Sequence, residues 1–249
     1  MSLLELTLSV LFSYVNTNTY YLLAGAALVL CFIYLMRPRR FYLVRHGETL
    51  LNAEHVRQGP EGALSEKGRA QADSVGQYLE NFPITHIVSS TYPRALETAE
   101  IINTHVHTTV TPSPLFEERR NPSAIIGKHT HDSDVVRIVD QMDLAFHDDD
   151  FRVADEENFI DELQRAKKAL SFLAHHRSKA TVVVTHHHFL KMHIAYILYR
   201  ENLHASDFIK LSFFNVSDNA GISTLEFNPW DRFSSSHGWS VIGFNEQPE

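Results

Sequence analysis

The chain has 249 residues, 44% hydrophobic and 21% charged, which is enough apolar material for one sizeable core and a short additional piece. Its formal net charge of −8 is spread along the chain and offers no basic run for nucleic acid, while the acidic stretch "HDDDFRVADEE" from His147 to Glu157 reads as a solvated loop. The single cysteine, Cys31, excludes intrachain disulfides and thiol-based metal sites.

The chain opens on a membrane signal. No charged residue occurs from Leu6 to Met36, and "YYLLAGAALVLCFIYLM" is apolar throughout, close to the roughly 20 residues that span a bilayer. A cleaved signal peptide would need a basic start, absent from "MSLLELTLS", and a small-residue cleavage site, absent after the run. Leu30 before Cys31 likewise fails as a lipoprotein site. "RPRR", Arg37 to Arg40, follows at once, and basic flanks stay on the cytoplasmic side. The expectation is an N-terminal anchor over residues 1–38, spanning once at about 20–36, with a domain over 39–249 facing the cytosol.

Beyond Arg40, short β-branched runs alternate with helical segments, the pattern of a three-layer α/β domain with a mainly parallel central sheet flanked by helices. "FYLV" is a strand ending at Arg45. "SEKGRAQADSVGQYLENF" has helical spacing with Ser65 as N-cap, and "ITHIVSS" is a second strand. "PRALETAEIIN" is a helix with Pro93 at its start, "THVHTTVT" a short strand, and "PSPLFEERRNPS" a loop. Ser123 to Asp155 reads as a small, mostly helical cap insertion. "NFIDELQRAKKALSFLAHH" is an amphipathic helix, and "TVVVTHHHFLKMHIAYILY" a buried strand running into another helix. "FFNVSDNAGISTLEF" predicts two strands joined through an Asn/Gly turn, and "WSVIGFN" a last one.

Two apolar strands end alike, "FYLV" into Arg45 and His46, "TVVVT" into His186. Ligand sites of open α/β sheets gather at the carboxyl ends of strands, so the two imidazoles are expected at one place. "ITHIVSS" leads to Arg94 at a helix start, where a planar guanidinium and backbone donors suit phosphate oxygens. Two arginines and two histidines at strand ends predict a dianion pocket.

"RHGET" with Asn52, "LSEKGRAQA", "SSTYPRALETAEII" and "VVVTH", in this order, resemble the histidine phosphatase (phosphoglycerate mutase-like) superfamily, from Phe41 to "WSVIGFNE". The resemblance implies a phosphate monoester hydrolase in which His46 takes the phosphoryl group. Arg45, Arg94 and His186 would hold its oxygens, and no metal or other cofactor is needed. An imidazole with an ordinary pKa of about 6.5 is substantially neutral at cytosolic pH and so nucleophilic. The family places an acidic proton donor in the loop after the third strand. Counting from Leu115 selects Glu117, whereas aligning Phe116 and the Glu-x-x-x-Pro-Ser spacing selects Glu118, which is the residue taken here. Asn52, Gln58 and Gly59 fall where the family's substrate-contacting loop lies. His187 stands where relatives carry glycine, a side chain that could crowd the site or change the backbone angle.

Three alternatives compete. The histidine pairs at His105 and His129 invite a metallohydrolase, but carboxylate ligands at matching spacing are missing. A phosphoglycerate mutase would carry a "FTGW" type loop, where this chain has "VRQGPEGALSEKG". A phosphate-binding pseudo-enzyme is the third. The expected partners are a phosphorylated small molecule or phosphoprotein and, through the N-terminal helix, a membrane.

Overall fold

The computed structural model describes residues 3–144, 148–214 and 217–248. It divides into two compact units, Met1–Arg37 and Pro38–Glu249. The first is a single helix, α1 (Leu3–Leu35), with exposed apolar side chains such as Leu22, Leu28 and Ile33. Among the described residues no helix is long and apolar enough to cross a membrane, so the span expected at 20–36 finds no support there.

In the second unit, β1 (Arg39–Arg45), β2 (His86–Ser89), β3 (Val110–Pro112), β4 (Ala180–Thr185), β5 (Ile222–Phe227) and β6 (Trp239–Glu246) form one sheet in the order β3-β2-β4-β1-β5-β6. β1 to β4 are parallel, whereas β5 runs against both β1 and β6, so the α/β domain has a mixed sheet. The helices are α2 (Leu50–Ala53), α3 (Glu66–Leu79), α4 (Pro93–Val106), α5 (Ser133–Asp143), α6 (Phe159–His175), α7 (His187–Tyr199) and α8 (Ala205–Phe214).

Strand side chains alternate faces, and both faces are covered. Phe41, Leu43 and Val183 pack with α6 and α7 through Leu170, Leu173, Phe189 and Leu190. Tyr42, Val44 and Val182 pack with α3 and α4 through Val75, Leu79, Ala95 and Ile102. The chain therefore leaves β1 towards one face and β4 towards the other, although these two strands are neighbours. That divergence opens a crevice beyond their carboxyl ends.

Local chemistry explains the helix starts. The Ser65 hydroxyl accepts the Gly68 N–H at 3.0 Å, and Pro93 occupies the first position of α4, where a missing N–H costs nothing. The expected strand at "FFNV" is corrected: Phe213 and Phe214 end α8, continuing the helix from Ala205, while Asn215 and Val216 lie outside the described residues. The cap is less helical than its sequence reading, with α5 and a 3-10 turn at Ser123–Ile125 around a small cluster of Ile125, Val135 and Met142; His147 lies outside the described residues.

Candidate active site

His46 follows β1 directly and is 4% exposed. Its N–H donates to Thr185 at 3.0 Å, which carries the β1–β4 ladder one residue past the strand. The chain can turn sharply here because Gly47 and Gly68 meet backbone to backbone. A Cβ on Gly47 would lie 2.4 Å from the Gly68 carbonyl oxygen, and one on Gly68 would lie 2.0 Å from that of Glu48. Glu48 points away from the pocket, accepting from Ser65 Oγ at 3.0 Å and Lys67 Nζ at 2.8 Å, a brace between the loop and α3.

The two imidazoles come together, with ring centroids 5.1 Å apart at 59°. Hydrogen bonding assigns the tautomer of His46: Nδ1 lies 2.7 Å from the Gly47 carbonyl, which can only accept, so Nδ1 carries the proton and Nε2 keeps its lone pair. The Ser90 hydroxyl accepts the Tyr92 N–H at 3.2 Å and holds His186 through its Nε2 at 2.8 Å. His186 Nδ1 is buried and has no partner among the described residues. Burial, followed by the charges of Arg94 and Arg45, holds His46 well below the usual imidazole range, and burial with His46 alongside does the same to His186.

A cavity of about 310 Å³ opens over His46, lined by Arg45, Asn52, Gln58, Arg94 and Glu118 as well. Arg45 is braced by Nη1 on the Ser217 carbonyl at 2.5 Å. Arg94, buried at the start of α4, gives Nη1 to the carbonyls of Gly59 and Pro60 at 2.9 and 3.1 Å, and so ties down the loop before α3. Gly59 therefore serves through its carbonyl and does not line the cavity; His186 stands behind His46. Asn52 is shared between the cavity wall and a capping box with Thr49, and Gln58 Nε2 donates to Thr49 Oγ1 at 2.6 Å.

The two candidate acids separate. Glu117 takes a hydrogen bond from the Thr91 hydroxyl and is not among the lining residues. Glu118 lines the cavity, its carboxyl oxygens accepting backbone N–H groups of Arg119 and Phe189 at 3.0 Å and His188 at 3.2 Å, which fixes it at the start of α7.

His187 forms part of the wall with an ordinary backbone, since it is not among the residues of positive φ. Its Nδ1 donates to Ser217, 3.1 Å from the carbonyl and 2.9 Å from the hydroxyl, and Nε2 has no partner among the described residues. Burial and the nearby charges of Lys191 and Arg45 lower its pKa to about 4. Arg57, Asn121 and Thr130 also line the cavity and were missed in the sequence. Arg57 and Thr130 arrive through strand-like pairing of 55–57 with the cap, Arg57 N–H on Lys128 and Thr130 N–H on His55, both at 2.9 Å. Arg57 beside Gln58 was the available signal; nothing local marks the other two. Among the described residues no group of three or more His, Cys, Asp or Glu is placed to hold a metal ion.

The model of the histidine phosphatase superfamily (branch 1) matches residues 41–239. A curated relative, a probable phosphoglycerate mutase of Erwinia tasmaniensis, is 53% identical over 62 residues, which is 24% of this chain and 29% of that protein. The match therefore spans under a third of that relative's length. A solved structure described as a putative alpha-ribazole-5'-P phosphatase from Escherichia coli superimposes with a TM-score of 0.67 at 20% identity, covering 84% of this chain and 97% of that one. A mycobacterial glucosyl-3-phosphoglycerate phosphatase gives 0.65 at 22%, covering 85% and 100%. These two likenesses are of fold.

Proposed function

The chain belongs to the histidine phosphatase superfamily, and from that premise we propose that it hydrolyses phosphate monoesters through a phosphohistidine at His46. The observation that carries this reading is the bare Nε2 of His46, kept free by the Nδ1 bond to Gly47 and neutral by burial, at a cavity that three arginines line.

The lone pair of Nε2 attacks phosphorus as the ester P–O bond breaks. Arg45 and Arg94 stabilise the equatorial oxygens, the electrostatic part that dominates phosphoryl transfer, while His186 packs against the His46 ring and supports it. Protonated Glu118 gives its proton to the leaving alkoxide. Water then attacks phosphorus, the P–N bond breaks, orthophosphate departs, and the proton of water returns to Glu118. A mutase-type transfer is the second reading, supported by the 62-residue match to a probable phosphoglycerate mutase.

A panel of phosphomonoesters, with 3-phosphoglycerate offered with and without a bisphosphate primer, separates the two. Hydrolysis should proceed without primer, with acid-labile phosphate on His46 and none in His46→Ala. Turnover surviving in His46→Ala would sink the reading. We further propose that residues 20–36 anchor the chain in a membrane with the catalytic domain in the cytosol, supported by the uncharged stretch from Leu6 to Met36 and the basic residues after it. Resistance to alkaline carbonate extraction is expected, and release by it would refute the anchor.

A further inference from the structure

The end of the sheet opposite the cavity has a composition unlike the rest of the chain. β1 begins there at Arg39, one residue past Pro38, so the covalent link to residues 1–37 is made at that end. Arg39 pairs with Phe227 in the ladder and Arg40 with Ala180, which brings the β5–β6 connection and the segment before β4 to the same place. Arg39 clamps the two, its guanidinium 4.9 Å over the Phe227 ring and its Nη1 on the His176 carbonyl at 3.1 Å.

Around this clamp Arg40, Arg177, Lys179 and Arg232 are exposed, in a chain of net charge −8. Glu226 pairs with Arg40 at 3.3 Å and Asp231 takes the Asn228 Nδ2–H at 2.6 Å, so Arg39, Arg177, Lys179 and Arg232 leave the face with a positive excess. The β5–β6 connection also holds two aromatic side chains out to solvent, Trp230 at 59% and Phe233 at 94% exposure. Exposed aromatics beside cations suit a bilayer interface: rings favour the headgroup level, and each cation near an anionic leaflet is attracted to it.

We infer that this face of the domain rests on an anionic membrane surface, with Trp230 and Phe233 entering the headgroup layer. The inference rests on the anchored-phosphatase reading and deepens it. β1 is seven residues long. At about 3.3 Å per residue, the strand sets His46 roughly 20 Å from the docked end. The substrates are therefore phosphomonoesters delivered from water, and phosphorylated lipids of the same bilayer stay out of reach.

The full chain, reconstituted in phosphatidylcholine vesicles with and without phosphatidylserine, tests this. Of the two tryptophans, Trp239 is 5% exposed, so lipids with headgroup nitroxides read mainly Trp230, and Trp230→Phe supplies the blank. Quenching above the blank is expected with phosphatidylserine, falling in Arg177→Glu/Lys179→Glu/Arg232→Glu. In the same vesicles a water-soluble phosphomonoester should be hydrolysed and phosphatidic acid left intact. Quenching no greater than the blank, or hydrolysis of that phosphatidic acid, overturns the inference. Loss of the chain to carbonate would instead refute the anchor, and absence of any phosphoenzyme the phosphatase reading, while the quenching still decides the docked face.

Discussion

His46 donates Nδ1–H to the carbonyl of Gly47 across 2.7 Å, and this bond, made within the turn itself, aims the lone pair of Nε2 at the cavity. Since burial and two guanidinium groups hold the ring well below the usual imidazole range, acidification should not protonate it near the ordinary value of about 6.5. In the free enzyme the ring NMR signals of His46 are expected to stay those of neutral imidazole as pH falls through that value. A one-proton shift centred there, absent in His46→Ala, would show that the ring titrates as in water.

The same burial sets the acid limit of stability. His46, His186 and His193 all have folded-state values depressed by burial, the last to about 4. Below about pH 6.5 the unfolded chain binds protons that the fold refuses, so stability is complete above that range and lost as pH falls. Each histidine contributes up to about 1.4 kcal/mol per pH unit. His193 is remote from phosphate transfer, stacked on Phe116 with its Nδ1 on the Phe189 carbonyl at 2.7 Å. His193→Leu should lower stability at neutral pH and flatten the fall of melting temperature between pH 6 and 5. An unchanged slope would mean that other groups govern acid unfolding.

Glu118→Gln and Glu117→Gln should differ sharply. Removing the proton donor is expected to lower turnover on alkyl phosphates by roughly 10²–10⁴-fold. The phosphoenzyme burst from an ester with a good leaving group, such as p-nitrophenyl phosphate, should be affected far less, because its phenolate needs no proton, whereas the later water step still uses Glu118. Glu117→Gln, which loses only part of its bond with Thr91, should stay near the parent enzyme on both substrates. Equal losses for the two variants on the alkyl ester would remove Glu118 from the role.

Ser90 makes a narrower test. Its hydroxyl is the hydrogen-bond partner of His186 Nε2, and the ring of His186 packs 5.1 Å from that of His46. In Ser90→Ala that bond is lost and the support of the nucleophile loosens, so kcat should fall by about tenfold, equivalent to roughly 1.4 kcal/mol of transition-state stabilisation. Ser90→Thr should restore it. Loss in both variants alike would indicate a packing defect.

The parts legible in the sequence were those whose signal is local. β1 and β4 read as apolar runs, α3 and α4 announced themselves by Ser65 and Pro93, and Arg45, His46 and Arg94 line one cavity because they end a strand or open a helix, whereas Glu118, in a loop, came only from the family resemblance. Phe213 and Phe214 misled because a pair of aromatics favours a strand by propensity, and the helix that starts at Ala205 runs on through them. Thr130 reaches the cavity through pairing between the 55–57 loop and the cap, a contact with no sequence period. The basic face is equally non-local, since Arg40, Lys179 and Arg232 are separated by most of the chain and meet only through strand register.

Gly68 gives the prediction that ties packing to chemistry. A methyl there would fall 2.0 Å from the Glu48 carbonyl oxygen, a backbone atom that cannot swing aside, so α3 or the loop after His46 must move. Forcing such overpacking costs about 1–3 kcal/mol, and here the strain is relieved through the turn that holds the Gly47 carbonyl against His46 Nδ1. Gly68→Ala should therefore lower both the melting temperature and the amplitude of the phosphoenzyme burst. Gly25→Ala, in α1 with nothing within 4 Å of the added carbon, should change neither. A Gly68→Ala enzyme that melts earlier yet keeps its full burst would show that α3 yields and the His46 turn does not, separating the stability of this contact from its part in aiming the nucleophile.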